Sequence, residues 1–278
     1  MVNVSSRRAK FRDLHASGCF VIPNPWDVGS ARYLQRLGFQ ALATTSAGFA
    51  FARGVPDGAA PLAEMLEHIG EMVAATDLPV NADFGNGFAD APERVAENVR
   101  ACIETGVAGL SIEDATGNRG APLYDFELAV DRMRAARAAI DGSGTGVLLT
   151  GRAECYLVRH RDAFEESLRR LRAYGEAGAD VLYAPGVTKR EEIAAVVEAV
   201  QPKPVNLLVS SAAGLTVSEV AEMGVRRISV GSSLARAAWS GFVKAAKEIA
   251  ENGTFEGFRG LTPYEELNEV FAEYGPGG

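Results

Sequence analysis

Cysteine is scarce in this chain of 278 residues: Cys19, Cys102 and Cys155 are an odd number and far apart in sequence. That pattern argues against a disulfide framework or a zinc knuckle and fits a reducing compartment. Histidine is equally scarce, and His15, His68 and His160 have no metal-binding spacing. HExxH, GxSxG and GxGxxG are all missing, so zincin, serine-hydrolase and dinucleotide-binding fingerprints are not available. The formal net charge is −8 and no basic run is long enough to track a phosphate backbone. Nucleic acid is therefore not an expected partner. No apolar stretch reaches the roughly 20 residues of a membrane span. The opening MVNVSSRRAKFRDL has no apolar signal core, and a cytoplasmic protein that does not enter the membrane is expected.

What the chain does have is an ordinary globular balance, 47% hydrophobic and 23% charged, enough for a sizeable core. Short apolar runs alternate with amphipathic stretches. Strands are predicted at 18–22, 40–44, 79–83, 108–112, 147–151, 180–183, 205–209 and 226–230. Helices are predicted at 28–37, 60–75, 92–105, 126–140, 162–177, 189–200, 216–223 and 233–251. The stretch 92–105 shows the pattern: Pro92 opens it, and Val95, Val99 and Cys102 share one face. Three joints, TGVAGLSIED, AGADVLYAPG and MGVRRISVGS, each place a glycine where a helix C-cap wants a left-handed residue. With no Gly/Ser linker between the units, an α/β fold closed as a (β/α)8 TIM-type barrel is favoured over a doubly wound sheet. The expectation is one domain over residues 1–278, with the barrel at about 15–250 and a helical tail at about 254–274.

A set of polar residues recurs where strands are predicted to end: Asp83, Glu113-Asp114, Arg152 and, in the seventh strand, Asn206, with Asp57 in the loop after the second. In a β/α barrel such strand ends converge at one mouth. Asp83 suits a Mg²⁺ ligand or an ordinary turn residue. Asp114 also suits a helix N-cap, and Asp57 alone is a turn acid. Arg152 offers a planar fork for a carboxylate or a developing enolate oxygen, or a structural ion pair to Glu113 or Glu154. Asn206 suits a ligand contact or a core hydrogen bond. Ser46-Ala47-Gly48 could form an anion-binding nest, and Gly231-Ser232-Ser233 follow the eighth strand. The segment 115–124 carries Gly117 and Gly120 without apolar periodicity, so a mobile lid is expected there. Cys155 has no histidine nearby in sequence and reads as a wall thiol.

On NPWDVGSARYLQRLGFQALATTSAGFA, VNADFGNGF, GVAGLSIEDATG, LLTGRAECYL, GADVLYAPG and KPVNLLVS, the chain resembles the isocitrate lyase/phosphoenolpyruvate mutase superfamily over about residues 10–272. The resemblance implies a β/α barrel, Mg²⁺, a small 2-oxo or related carboxylic acid as substrate, and homodimers or homotetramers that exchange their C-terminal helices. It implies Asp83 as the direct metal ligand, with Asp57 and Glu113 acting through water. It implies Ser46, Ala47 and Gly48 as a backbone cradle for substrate, Arg152 as the enolate-stabilising catalytic arginine with Glu113 beside it, and Asn206 as a substrate-facing amide. Two departures stand out. Gly85 occupies the position of a second acid, and DATGNRGAPLYD lacks both the Lys-Cys-Gly-His motif and the mutase loop pattern.

The expectation is a Mg²⁺-dependent lyase or decarboxylase that breaks a bond at C3 of a 2-oxo or 2-hydroxy acid through an enolate. An oxaloacetate-like acid leads, because loss of CO₂ needs no cysteine acid or base. The alternatives are a C–C lyase on a substituted malate or citrate, a phosphonopyruvate-type P–C mutase or hydrolase, and a non-catalytic carboxylate-binding barrel.

Overall fold

The computed structural model describes residues 3–212 and 214–274; residues 1–2, 213 and 275–278 of the expected domain lie outside the described residues. Eight parallel strands, β1 (Phe20–Ile22), β2 (Leu42–Ala43), β3 (Val80–Asp83), β4 (Gly109–Glu113), β5 (Leu148–Arg152), β6 (Val181–Tyr183), β7 (Val205–Leu208) and β8 (Arg227–Ser229), follow one another around a nearly closed barrel. The helices are α1 (Val4–Ala16), α2 (Val28–Arg36), α3 (Ser46–Ala52), α4 (Leu62–Ala75), α5 (Pro92–Glu104), α6 (Phe126–Ser143), α7 (Ala163–Glu176), α8 (Arg190–Val200), α9 (Val217–Glu222), α10 (Ser233–Asn252) and α11 (Tyr264–Ala272). Each expected strand and helix has its counterpart, shifted by at most three residues at the ends.

The β1–β2 seam has no ladder. It is bridged by the Ala43 N–H donating to the Pro23 carbonyl at 3.0 Å and by Asn24 Nδ2 donating to the Thr44 carbonyl at 2.9 Å. These bonds draw together the two edges that the open seam would otherwise leave apart.

α1 was not expected as a helix. It lies across the N-terminal end of the barrel, and its arginines satisfy the carbonyls that precede the strands. Arg7 donates to Val73 O at 2.7 Å, Arg8 to Val107 O at 2.9 Å and Arg12 to Gly146 O at 2.9 Å. Phe11 is fully buried against Ile22, Ala41, Ala43 and Ala108. Gly109 opens β4 beneath it, where a Cβ would sit 2.7 Å from both the Phe11 ring and Asn81 Oδ1. The plug closes one end, so ligand access is left to the C-terminal mouth, where barrel enzymes keep their sites.

The other helices bury one face each against the sheet; Val95, Val99, Cys102 and Ile103 of α5 are core. α11 buries only Val270, and α10 is likewise an exception. Of its 20 residues only Ala235 is buried, while Trp239, Phe242, Val243 and Ile249 are exposed. Among the described residues no helix is long and apolar enough to cross a membrane.

Candidate active site at the barrel mouth

Asp83, Glu113, Arg152 and Tyr183 are each the last residue of their strand, β3 to β6. Parallel register sets Glu113 beside Arg152 and Arg152 beside Tyr183. The four side chains therefore reach the mouth as neighbours because the strands end together. Arg152 NH1 lies 3.2 Å from Asp83 Oδ1 and 3.2 Å from Glu113 Oε2, and its Nε donates to Glu154. The Arg152 guanidinium carbon is 5.3 Å from the Tyr183 ring centroid. Both readings of Arg152 in the sequence thus meet in one residue: it is ion-paired, and it lines the cavity.

That cavity has a volume of about 190 Å³ and is lined by Ser46, Ala47, Asp57, Asp83, Arg152 and Asn206, among others. An outer chamber of about 360 Å³ shares Asp57 and Arg152 and adds Glu113, Gly85 and Ala115–Gly117. All the expected site residues except Gly48 line one chamber or the other. Gly48 sits behind them, where a Cβ would meet Thr45 at 2.6 Å and Trp26 at 2.9 Å. The expected nest is the first turn of α3. The Ser46 N–H donates to Asp83 Oδ2 at 2.9 Å and the Gly48 N–H to Thr45 Oγ1 at 3.2 Å. Asn206 spends both ends of its amide inside the protein, Nδ2 donating to Ser229 Oγ at 2.9 Å and Oδ1 accepting from Arg227 Nε at 2.8 Å.

Asp114 is not a helix cap, since the next helix begins at Phe126. It is a buried brace. Oδ1 accepts the Glu154 N–H at 2.8 Å, and Oδ2 accepts from Arg170 at 3.0 Å and from the Tyr174 hydroxyl at 2.5 Å. Through Glu154 this brace fixes the base of Arg152. The segment 115–124 forms a hairpin. Ala115 bridges Leu123, the Tyr124 hydroxyl donates to Asp90 at 2.5 Å, and the Arg132 guanidinium carbon lies 3.9 Å from the Tyr124 ring centroid.

The electrostatics are lopsided. Asp57, Asp83, Glu113 and Glu154 face one guanidinium. Burial raises Glu113, Glu154 and Asp57 above the usual carboxylate range, and the neighbouring acids push the same way, while Arg152 pulls back. A mouth short of positive charge suits a cation. Each Asp83 oxygen has one protein donor and keeps a lone pair for a further partner. Among the described residues no three acids, histidines or cysteines converge closely enough to ligate one ion directly. At Gly85, φ is 49° and a Cβ would meet nothing within 4 Å. The donor set fits an oxygen-preferring divalent ion that keeps most of its water, as Mg²⁺ does.

The phosphoenolpyruvate phosphomutase family pattern matches residues 11–250. The chain belongs to the isocitrate lyase/phosphoenolpyruvate mutase superfamily. It is similar to a lyase/mutase candidate from Burkholderia cenocepacia J2315, with a TM-score of 0.93 and 48% identity over 97% of this chain and 98% of that one. It is also similar to an oxaloacetate acetylhydrolase solved with its product oxalate, at a TM-score of 0.84 and 28% identity over 99% of both chains. An oxaloacetate decarboxylase of Paraburkholderia xenovorans (strain LB400) is 29% identical over 211 residues, 72% of this chain and 68% of that one. Membership makes the chain a lyase or mutase by family.

Sequence reading passed over Glu154, Tyr183 and Arg227 as site residues. Tyr183 ends a strand like the others and was legible by the same rule. Glu154 lies two residues past a strand, and Arg227 sits at the start of one, where an exposed charge is the ordinary reading.

Proposed function

We propose that this protein is a Mg²⁺-dependent lyase that breaks a bond at C3 of a 2-oxo acid through an enolate, with decarboxylation of an oxaloacetate-like acid as its leading reaction. The observation that carries this is Arg152, held between Asp83 and Glu113 with its guanidinium in the cavity wall. As the C3–C4 bond breaks, its electron pair becomes the C2–C3 double bond, negative charge gathers on the C2 oxygen, and CO₂ departs. A fixed guanidinium at that oxygen binds the developing charge more tightly than the ground state. Asp83, with Asp57 and Glu113 through water, would hold the metal, which supplies polarisation of the oxo group when bound. Ser46 and Ala47 line the same cavity and would seat the substrate carboxylate; Gly48, expected to share this role, faces away and gives its N–H to Thr45 Oγ1.

No thiol acid or base is needed. Burial pushes the Cys155 thiol up to about 11, and the segment after Glu113 has no cysteine. Two relatives are named for oxaloacetate, one of them a decarboxylase, which supports the substrate class. Oxaloacetate turnover with Mg²⁺, abolished by EDTA and restored by added Mg²⁺, is the expected result. No turnover of oxaloacetate or any substituted malate, with carboxylates still binding, would turn the reading into that of a binding barrel.

The same proposal includes assembly. Trp239, Phe242 and Val243 of α10, with Phe255, Phe258 and Tyr264 after it, are large apolar side chains left exposed, and exposed apolar side chains gathered in one stretch fit an interaction surface. Exchange of these C-terminal helices in a homodimer or homotetramer would cover it.

A further inference from the structure

Arg227 lies at the floor of the same cavity, and among the described residues no acid forms an ion pair with it. It is the first residue of β8, is 3% exposed, and lines the cavity together with Asp83, Arg152 and Asn206. Its partners are neutral: Nε donates to Asn206 Oδ1 at 2.8 Å, NH2 to Thr150 Oγ1 at 3.0 Å, and NH1 reaches His15 Nε2 at 3.4 Å. His15 Nδ1 is 2.7 Å from the Phe11 carbonyl, which can only accept, so Nδ1 carries the hydrogen and Nε2 receives from Arg227. The ring is clamped edge-on between Phe11 and Phe20.

A buried guanidinium without a carboxylate is expensive, because its lost hydration is not replaced by an opposite charge. Burial pulls Arg227 down to about 10, and no carboxylate counts among the groups that offset it. Two other buried arginines solve this problem with backbone carbonyls. Arg8 takes those of Val107 and Ile103, and Arg132 takes those of Asn86, Ala89 and Asp90. Arg227 takes none. Of the five N–H groups of a guanidinium, three are accounted for by Asn206, Thr150 and His15, and the group faces open volume. Nearby in the same lining, Asn81 Oδ1 is buried without a partner. The floor is polar and incomplete.

Resting on the reading of this cavity as a carboxylic acid site, we propose that Arg227 is a second anion anchor that selects dianionic over monoanionic acids. One acidic group of the ligand sits at the mouth in the Ser46–Ala47 turn, beside Arg152. The second reaches down to the two remaining N–H groups of Arg227. Thr150 is two residues before Arg152 on β5, so the two guanidiniums stand about one layer of side chains apart, roughly 7 Å by strand rise. That separation suits a short dicarboxylate. Arg227 is a specificity residue here, and His15, Thr150 and Asn206 hold its fork in place.

The test uses matched pairs that differ only in one acidic group: malonate against propionate, and succinate against butyrate. Calorimetric titration of the full chain with Mg²⁺ at fixed ionic strength should show at least one dicarboxylate binding about tenfold or more tighter than its partner, as a charge-assisted hydrogen bond predicts. Arg227→Gln should erase that preference and leave monocarboxylate affinity within about twofold, while Arg227→Lys should keep part of it. Arg152→Lys should weaken both classes, which places the ligand in this cavity. A wild type with no dicarboxylate preference overturns the proposal without any variant having to fold. Equal weakening of both classes in Arg227→Gln also overturns it, because that is what loss of Asn206 positioning alone would do. If the wild type binds no member of either pair, the carboxylic acid reading of the cavity fails, and this proposal falls with it.

Discussion

Arg152 and Arg227 share one cavity and differ in what surrounds them. Arg152 stands among Asp83, Glu113 and Glu154 and is raised well above its ordinary value, burial alone opposing the three acids. Arg227 stands among an amide, a hydroxyl and a neutral imidazole and is lowered by burial. The mouth has surplus negative charge and is completed by a cation. The floor has surplus positive charge and is completed by an anion. A substrate that brings acidic groups, taken up with a divalent ion, answers both needs at once. Neither arginine is explained by stability alone, since a buried ion pair is weak evidence for stability and an unpaired buried charge is a cost.

The comparison breaks hardest at Arg152. Arg152→Lys keeps the charge and loses the fork that spans Asp83, Glu113 and Glu154. Turnover on oxaloacetate or whichever acid is accepted should fall by about a hundred- to a thousandfold, the usual effect of removing one well-placed oxyanion donor. Circular dichroism should show an unchanged fold. If Arg152 serves only the ion-pair network, the variant loses stability while turnover per folded molecule stays near wild type.

The metal comes next. A ligand that binds only the folded state at a hundred times its dissociation constant adds about 2.7 kcal/mol. For a chain of this size that corresponds to about 5 °C in melting temperature. Mg²⁺ should give the wild type a shift of this order and leave Asp83→Ala almost unmoved. Matching shifts in both proteins would remove Asp83 from the metal site and leave the surplus acid of the mouth unexplained.

The barrel was legible because its signals are local and repeated: apolar strands, a glycine after each of several helices, and polar residues at strand ends. α1 was not legible. Nothing near Arg7, Arg8 and Arg12 in sequence marks them for burial, and only the folded barrel supplies the carbonyls of Val73, Val107 and Gly146 that absorb them. Asp83, Glu113 and Arg152 were legible as strand-end groups, and the fold brings them within ion-pair distance. The partners of Asp114 were not legible, since Arg170 and Tyr174 lie 56 and 60 residues away. Arg227 was invisible for the same reason: nothing near it in sequence says that its neighbours are Thr150 and His15, 77 and 212 residues distant.

The floor can be probed by pH through His15. Burial and the Arg227 charge lower its pKa from 6.5 to about 3. The unfolded chain therefore binds a proton on this side chain between those values and the folded chain does not. A group depressed in this way contributes stability that is complete above pH 6.5 and is lost as pH falls toward 3. The slope is at most about 1.4 kcal/mol per pH unit. His68, lowered to about 4, bends the wild-type curve the same way and cancels in a difference. Denaturant unfolding of wild type and His15→Gln should therefore show a stability gap that narrows from pH 6.5 toward pH 4. A gap that is constant with pH would mean that the folded imidazole carries its proton. It would then be a second cation facing Arg227, and the tautomer that receives from Arg227 would be wrong.

The smallest effect is expected at Cys155, which tests whether the mouth works by charge alone. The thiol is fully buried, and burial, with Asp114 adding to it, pushes it up to about 11. A thiol in that state is a poor nucleophile and a poor proton donor near neutral pH. It nevertheless sits three residues from Arg152 and next to Glu154, so proximity alone does not dismiss it. Cys155→Ser replaces sulfur by a smaller polar atom in a closed wall, and a stability loss of about 1 kcal/mol is expected, the ordinary size for a core substitution. Turnover should stay within about tenfold of wild type, because the enolate is stabilised by Arg152 and the departing CO₂ needs no proton from the thiol. A loss of several thousandfold with the fold intact would assign acid–base or covalent chemistry to that sulfur. The surplus acid around Arg152 would then serve to hold a thiol rather than a metal and its substrate.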